Sequence, residues 1–170
     1  DWFGVVGVPR LYEGRELRLS YVVWQELVSP FVVVEFLSPG TEAEDFGRTV
    51  QQPGNPPTKW HVYEQILRIP YYIIFSRYTN QLHAFHLVGG HYEPIELTEQ
   101  RVPISELGLS LGLWQGNFRE INRLWLRWFD ASGALILMPS EEAAAAEQRA
   151  LAAEQRAEQL AARLRELGLE

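Results

Sequence analysis

Apolar positions fall into short runs over the first 138 residues and follow a different rule after that. WFGVVGV, at 2–8, is valine-rich and ends at Pro9 and the polar LYEGREL, which predicts a strand. SYVVWQEL predicts a second strand, and FVVVEFL, at 31–37, a third. The third is apolar throughout except for Glu35, the pattern of a strand covered on both faces. The turn SPGT follows, with Thr41 placed to cap a short acidic helix carrying Glu42, Glu44 and Asp45. QQPGNPP is a loop. PTKWHVYEQILRI, at 57–69, has helical apolar spacing at Trp60, Tyr63, Ile66 and Leu67, with its prolines at the start. YYIIFS, at 71–76, returns as a strand, and QLHAFHLV, Gly89-Gly90 and HYEPIEL form a hairpin signature. LWLRWFD and ALILMP flank Ala131-Ser132-Gly133 and read as another hairpin. Strands before and after one helix predict an α+β, mixed-sheet domain over residues 1–138.

From Pro139 the chain has no aromatic residue, no β-branched residue and no further proline. The heptad AAEQRAL/AAEQRAE nearly repeats. Ala146, Ala150, Ala153, Ala157, Leu160, Leu164 and Leu167 fall on one seam with alternating spacings of four and three. Residues 139–170 are therefore a helical tail, and two readings of it stand open. One is a coiled-coil-like seam that pairs copies of the chain through residues 140–168. The other is a single solvated helix supported by alanine propensity.

Composition narrows the class. Of 170 residues, 46% are hydrophobic and 22% charged, which describes a globular chain. The absence of cysteine excludes disulfide scaffolds, thiol catalysis and cysteine-type zinc sites, and fits a reducing, cytoplasmic setting. No apolar run is long enough to cross a bilayer, so no membrane contact is expected. DWFGVVGVPR lacks the basic region of a signal peptide. A chain opening on Asp1, without methionine, reads as cut at its front end. The net charge of −7 is shared between −4 for residues 1–138 and −3 for the tail, and neither part is a basic nucleic-acid-binding surface by composition. Fourteen of the 15 bases are arginine; Lys59 is the single lysine.

That asymmetry directs attention to a few residues. A charged carboxylate inside FVVVEFL costs several kcal/mol to bury unless it is paired, metal-bound or protonated. Glu35 is thus either a solvent-facing residue of an edge strand or a metal-binding or catalytic group at the end of a central one. Asp1 heads the first strand; if the first and third strands are neighbours, two carboxylates converge, the oxygen-only set that magnesium favours. Lys59 lies four residues before Tyr63 on the predicted helix, so both share one face. Arginine would serve a surface role equally well, so a lone lysine points to a compact ammonium near a phosphate or a water. Competing sites are thin. His83 and His86 would face opposite sides of a strand, His61 turns away from Lys59, and Ser38 lacks the flanking glycines of a nucleophile elbow. Arg119 and Arg123 make a small phosphate-contacting ridge only if they are helical.

The order is D at a strand start, E in VVVEFLSPGT, then K with Y four residues on, then a strand. With DWFGVVGVP, FVVVEFLSPGTEAED, PPTKWHVYEQILRIPYYIIFSR and RLWLRWFDASGALI, it resembles the Uma-type restriction endonucleases of cyanobacteria, within the PD-(D/E)XK nuclease superfamily. The resemblance implies a restriction-endonuclease-like core, truncated at its N-terminus, over residues 1–138. It matches Asp1 to the first acid and Glu35 to the second. Leu37 stands where the usual pattern has lysine, and Lys59 with Tyr63 matches the displaced position on the following helix. What it implies chemically is Mg2+- or Mn2+-dependent hydrolysis of DNA. Asp1, Glu35 and the Phe36 carbonyl would hold the ion, Lys59 would orient or activate water, and Tyr63 and Ser38 would support the site. The competing function is a non-catalytic module with the same fold, assembling through its tail.

Overall fold

The computed structural model describes residues 1–167. In chain order it contains β1 (Trp2–Gly4), β2 (Leu11–Tyr12), β3 (Glu16–Leu17), α1 (Val23–Glu26), β4 (Val32–Phe36), α2 (Glu42–Asp45) and α3 (Lys59–His61). A π-helical turn, Val62–Ile66, continues α3. Then come β5 (Tyr71–Ser76), β6 (Gln81–Val88), β7 (His91–Pro94), β8 (Arg101–Ile104), a 3-10 turn at Ser105–Leu107, β9 (Leu109–Phe118), β10 (Ile121–Phe129) and α4 (Pro139–Glu166).

Alternation along β4 decides the architecture. Val32 and Val34 face one way and meet Tyr71, Ile73 and Phe75 of β5 and Val102, Ile104 and Leu111 of β8 and β9. Val33 faces the other way, into Tyr72, Ile74 and Tyr92, and is covered by Trp60, Tyr63 and Phe46. A five-stranded sheet, ordered β1-β4-β5-β6-β7, therefore lies between a helical layer and a three-stranded sheet, ordered β10-β9-β8. The β4–β5 pair is parallel and every other pair in the first sheet is antiparallel. This is the mixed α+β architecture with a C-terminal helix that the apolar pattern predicts, and it is consistent with a restriction-endonuclease-like fold. The β6–β7 hairpin turns on Gly89 and Gly90, both at positive φ, as two-residue turns of this twist require.

Several local expectations are corrected. SYVVWQEL is not a strand: Arg18 grips the Glu26 carboxylate with two bonds, at 2.8 and 3.2 Å, and Leu27 turns left-handed at φ 57°. An extended chain would hold residues 18 and 26 roughly 26 Å apart, so that ion pair selects the helical turn α1. ALILMP forms only one bridge, Phe129–Leu135, because Arg127 takes both carboxylate oxygens of Glu141 and draws the chain into α4. The main partner of β10 is β9 instead. Their turn is Arg119-Glu120, both left-handed, so the helical arginine ridge does not exist. Thr41 occupies the N-cap position of α2, but its hydroxyl goes to Ser38 and Asp45 rather than to the helix N–H groups. The helix at 59–66 changes from α to π at Val62, where Leu67 N–H reaches back five residues to the Val62 carbonyl. Its apolar stripe is incomplete, because Ile66 is exposed.

α4 buries none of its side chains, and Leu151, Leu160, Leu164 and Leu167 are all exposed. Position 168, the last of the expected pairing segment, and the rest of the tail to 170 lie outside the described residues. No helix among the described residues is long and apolar enough to cross a membrane.

Candidate active site

Glu35 does not sit on an edge. β4 has β1 on one side and β5 on the other, and only 2% of Glu35 is exposed. Each oxygen of its carboxylate takes one donor from the helical layer: the Tyr63 hydroxyl donates to Oε1 at 2.7 Å and the Lys59 ammonium to Oε2 at 3.0 Å. The turn-by-turn spacing of four residues brings both donors to one carboxylate, and Thr58 fixes the start of that helix by accepting the His61 N–H. Glu64 anchors its other side, accepting from the Trp60 indole and the Tyr92 backbone.

A second buried acid completes the cluster. Asp45, 1% exposed, accepts from Lys59 at 3.0 Å through Oδ1 and from the Thr41 hydroxyl at 2.7 Å through Oδ2. The buried Tyr72 hydroxyl holds the Asp45 backbone carbonyl at 2.9 Å. Sequence reasoning placed Asp45 only within an acidic helix. Its one signal was that aspartate occurs just three times in the chain. Two carboxylates thus share one ammonium, and among the described residues no buried side-chain nitrogen or oxygen lacks a partner.

The electrostatics assign protonation states. Burial pulls the Lys59 pKa down, but hydrogen bonds to Asp45 and Glu35 outweigh it and leave the ammonium above the ordinary lysine value. Burial and the Glu35 hydrogen bond push the Tyr63 phenol up, so it donates and does not ionise near neutrality. Tyr72 moves the same way, chiefly through burial.

Asp1 lies one residue before the Trp2–Val34 pair, and Glu35 one residue after it on β4. The Asp1 Oδ1 accepts the Phe36 N–H at 3.1 Å. The N–H and C=O of one strand residue leave on the same side, so the Phe36 carbonyl faces that edge as well. Asp1, Glu35 and Tyr63 line one cavity of about 400 Å3. Ser38 is not in this cluster: it lies past the end of β4, exposed, with its carbonyl taken by Thr41. His83 and His86 point to opposite faces, His83 against Phe46 and His86 stacked on Tyr71.

Among the described residues, no group of three or more histidine, aspartate and glutamate side chains is placed to hold a metal ion. The donor chemistry of the Asp1–Glu35 pair is nonetheless suited to a hard divalent ion, which accepts few protein oxygens and keeps its own waters.

No curated protein and no solved structure matches the chain. Residues 1–123 match the model of one protein family, and the chain belongs to that family, Uma2, described as "putative restriction endonuclease".

Proposed function

We propose that the protein is a metal-dependent endonuclease that hydrolyses DNA phosphodiester bonds at the Asp1–Glu35–Lys59 cluster. The observation that carries this reading is the lone lysine: its ammonium is drawn into a buried pair of acids instead of projecting into solvent. Family membership supports a nuclease, and the geometry supports the assignment of roles. Asp1, Glu35 and the Phe36 carbonyl would hold Mg2+ or Mn2+; Asp1 precedes the Trp2–Val34 pair on β1, Glu35 follows it on β4, and both line one cavity. Such an ion, when bound, polarises a phosphate oxygen and lowers the pKa of a coordinated water.

The chain's own residues do the rest. Tyr63 fixes the orientation of Glu35 by donating to Oε1. Lys59, held protonated by its two acids, orients the attacking water and offsets charge on the phosphate rather than taking the proton. Asp45 is a positioning residue, since its carboxylate holds Lys59 and Thr41. Lys59 and Asp45 both lie behind Glu35, outside the lining of the Asp1 cavity, so Lys59 acts there through the Glu35 carboxylate it holds. Ser38 does not line the Glu35 cavity; it lines a neighbouring one that also reaches Asp1. The reaction is placed in a reducing cytoplasm, in keeping with a chain that lacks cysteine.

Plasmid nicking with Mg2+ or Mn2+ tests the proposal. Glu35→Gln and Lys59→Ala should each reduce the rate about 100-fold or more. Cleavage unaffected by both substitutions would sink it. A second copy of the chain is proposed to pair along α4, because the seam leucines Leu160 and Leu164 are exposed on a helix that Glu141 anchors at its first turn.

A further inference from the structure

Two arginines outside the cluster share a feature that no other part of the site explains. Arg77 follows β5 at the same end of the sheet as Phe36 and Ser38, because β4 and β5 run parallel. Arg123 approaches from β10, and its Nη2 reaches the Arg77 carbonyl at 3.5 Å. Neither guanidinium forms an ion pair with any described residue. By contrast, their neighbour Arg127 is paired with Glu141. In a chain with net charge −7, two adjacent cations that no described acid pairs with offer a site to an external anion.

Both are held in place without neutralisation. Arg77 lies over the Tyr78 ring at 4.9 Å and donates to its hydroxyl at 2.9 Å; Arg123 lies over Trp125 at 5.3 Å. Ring contacts of this kind orient the planar fork. Arg123 also donates through Nε to the Leu124 carbonyl at 3.3 Å, so in each guanidinium it is the nitrogens not spent on these contacts that are left to grip a phosphate oxygen. Between the two arginines lies a cavity of about 510 Å3 that runs past Ser38 to Asp1. A second opening, lined by Asn80, Gln115 and Asn122, continues it outward. Asp1 also lines the Glu35 cavity, so a chain of phosphates passing Asp1 meets both surfaces. Tyr78 is 60% exposed beside Arg77 and offers a flat face to a base.

We propose that Arg77 and Arg123, with Tyr78, form a phosphate-anchoring subsite for a DNA strand, adjacent to Asp1. This rests on the nuclease reading, and it supplies the local basic surface that an acidic chain needs to hold a polyanion. The alternative occupant with the same charge is an acidic peptide.

The test is binding, kept separate from cleavage. Anisotropy of a fluorescein-labelled DNA duplex is followed in EDTA across a salt series from roughly 50 to 300 mM, since each phosphate contact adds about one unit to the salt slope. Arg77→Ala and Arg123→Ala should each weaken binding about fivefold at the lowest salt and flatten the slope by about one unit. Glu35→Gln should bind as wild type while failing to nick plasmid. Circular dichroism melts confirm that each variant is folded, and Arg77→Lys, which keeps the charge, should retain most of the slope. Binding with an unchanged slope in folded double variants overturns this inference and leaves the nuclease reading intact. Arginine-dependent binding without cleavage sustains the inference and removes the catalytic reading. A polyglutamate peptide that binds through both arginines while the duplex does not bind overturns it in favour of a protein partner.

Discussion

Lys59 holds two buried acids together, and its removal should show in stability as well as in chemistry. Lys59→Met leaves Glu35 and Asp45 facing each other with no counter-charge. Breaking a fully buried pair costs ~3–5 kcal/mol; with over a third of the Lys59 side chain exposed, about 2 kcal/mol is expected, read as a lower urea midpoint. The pH dependence has a definite sign. Because the folded-state pKa of Lys59 is raised above the ordinary 10.5, its contribution is complete below that value and fades as pH rises through the folded one. Wild type should therefore lose stability relative to Lys59→Met as pH rises above 10.5. At this scale the sequence was informative where a residue broke its context. Glu35 interrupts an apolar run, Lys59 is alone of its kind, and Tyr63 follows at helical spacing. Asp45 broke no context, because it sits among Glu42 and Glu44. Only the packing of α2 against α3 separates it from them.

The short helical segment 59–66 aims Lys59 and Tyr63, and it is wedged by one ring. Trp60 meets Tyr72, Phe85 and Tyr92 edge-on, at centroid distances of 5.0 to 5.6 Å. Gly47 closes over that ring at φ 67°; a methyl group there would come within 2.6 Å of the Trp60 indole. Gly47→Ala should therefore cost about 2 kcal/mol or more through strain and a displaced Trp60, and should lower cleavage by moving Lys59. A thermal melt paired with a nicking assay reads both effects. The same scale shows why some strands were legible and others were not. β4 and β5 carry apolar runs, interrupted in β4 only by Glu35, and β6 and β7 flank a glycine-pair turn. β9 carries Gly112 and Gly116, made necessary by Arg101 and Trp114, and it ends in an Arg-Glu turn without a glycine. SYVVWQEL has the β-branched composition of a strand, but an ion pair eight residues long overrides that preference.

On the scale of the whole molecule, α4 adds nothing to the cores: none of its residues is buried. Its first turn is different, since Glu141 accepts from Arg127 and from the Met138 backbone. A chain ending after residue 145 should keep the melting temperature of the full chain within about 2 °C, whereas Glu141→Ala should lower it. Sedimentation of the two lengths decides the pairing proposal: a mass that falls to one copy on truncation supports it, and identical masses remove it. The heptad was plain in the sequence, but whether a seam is paired depends on a second chain. The parallel β4–β5 pair has a consequence of another kind. Parallel neighbours cannot be joined by a hairpin, so β5 reaches β4 only after the intervening crossover has closed. That crossover carries Asp45, Lys59 and Tyr63, while β4 carries Glu35. Closing the sheet and assembling the cluster are therefore a single event, late in folding because its contacts are distant in sequence. A chain emerging from synthesis holds every residue of the cluster and yet no site, so the activity proposed for it begins only once the sheet is complete.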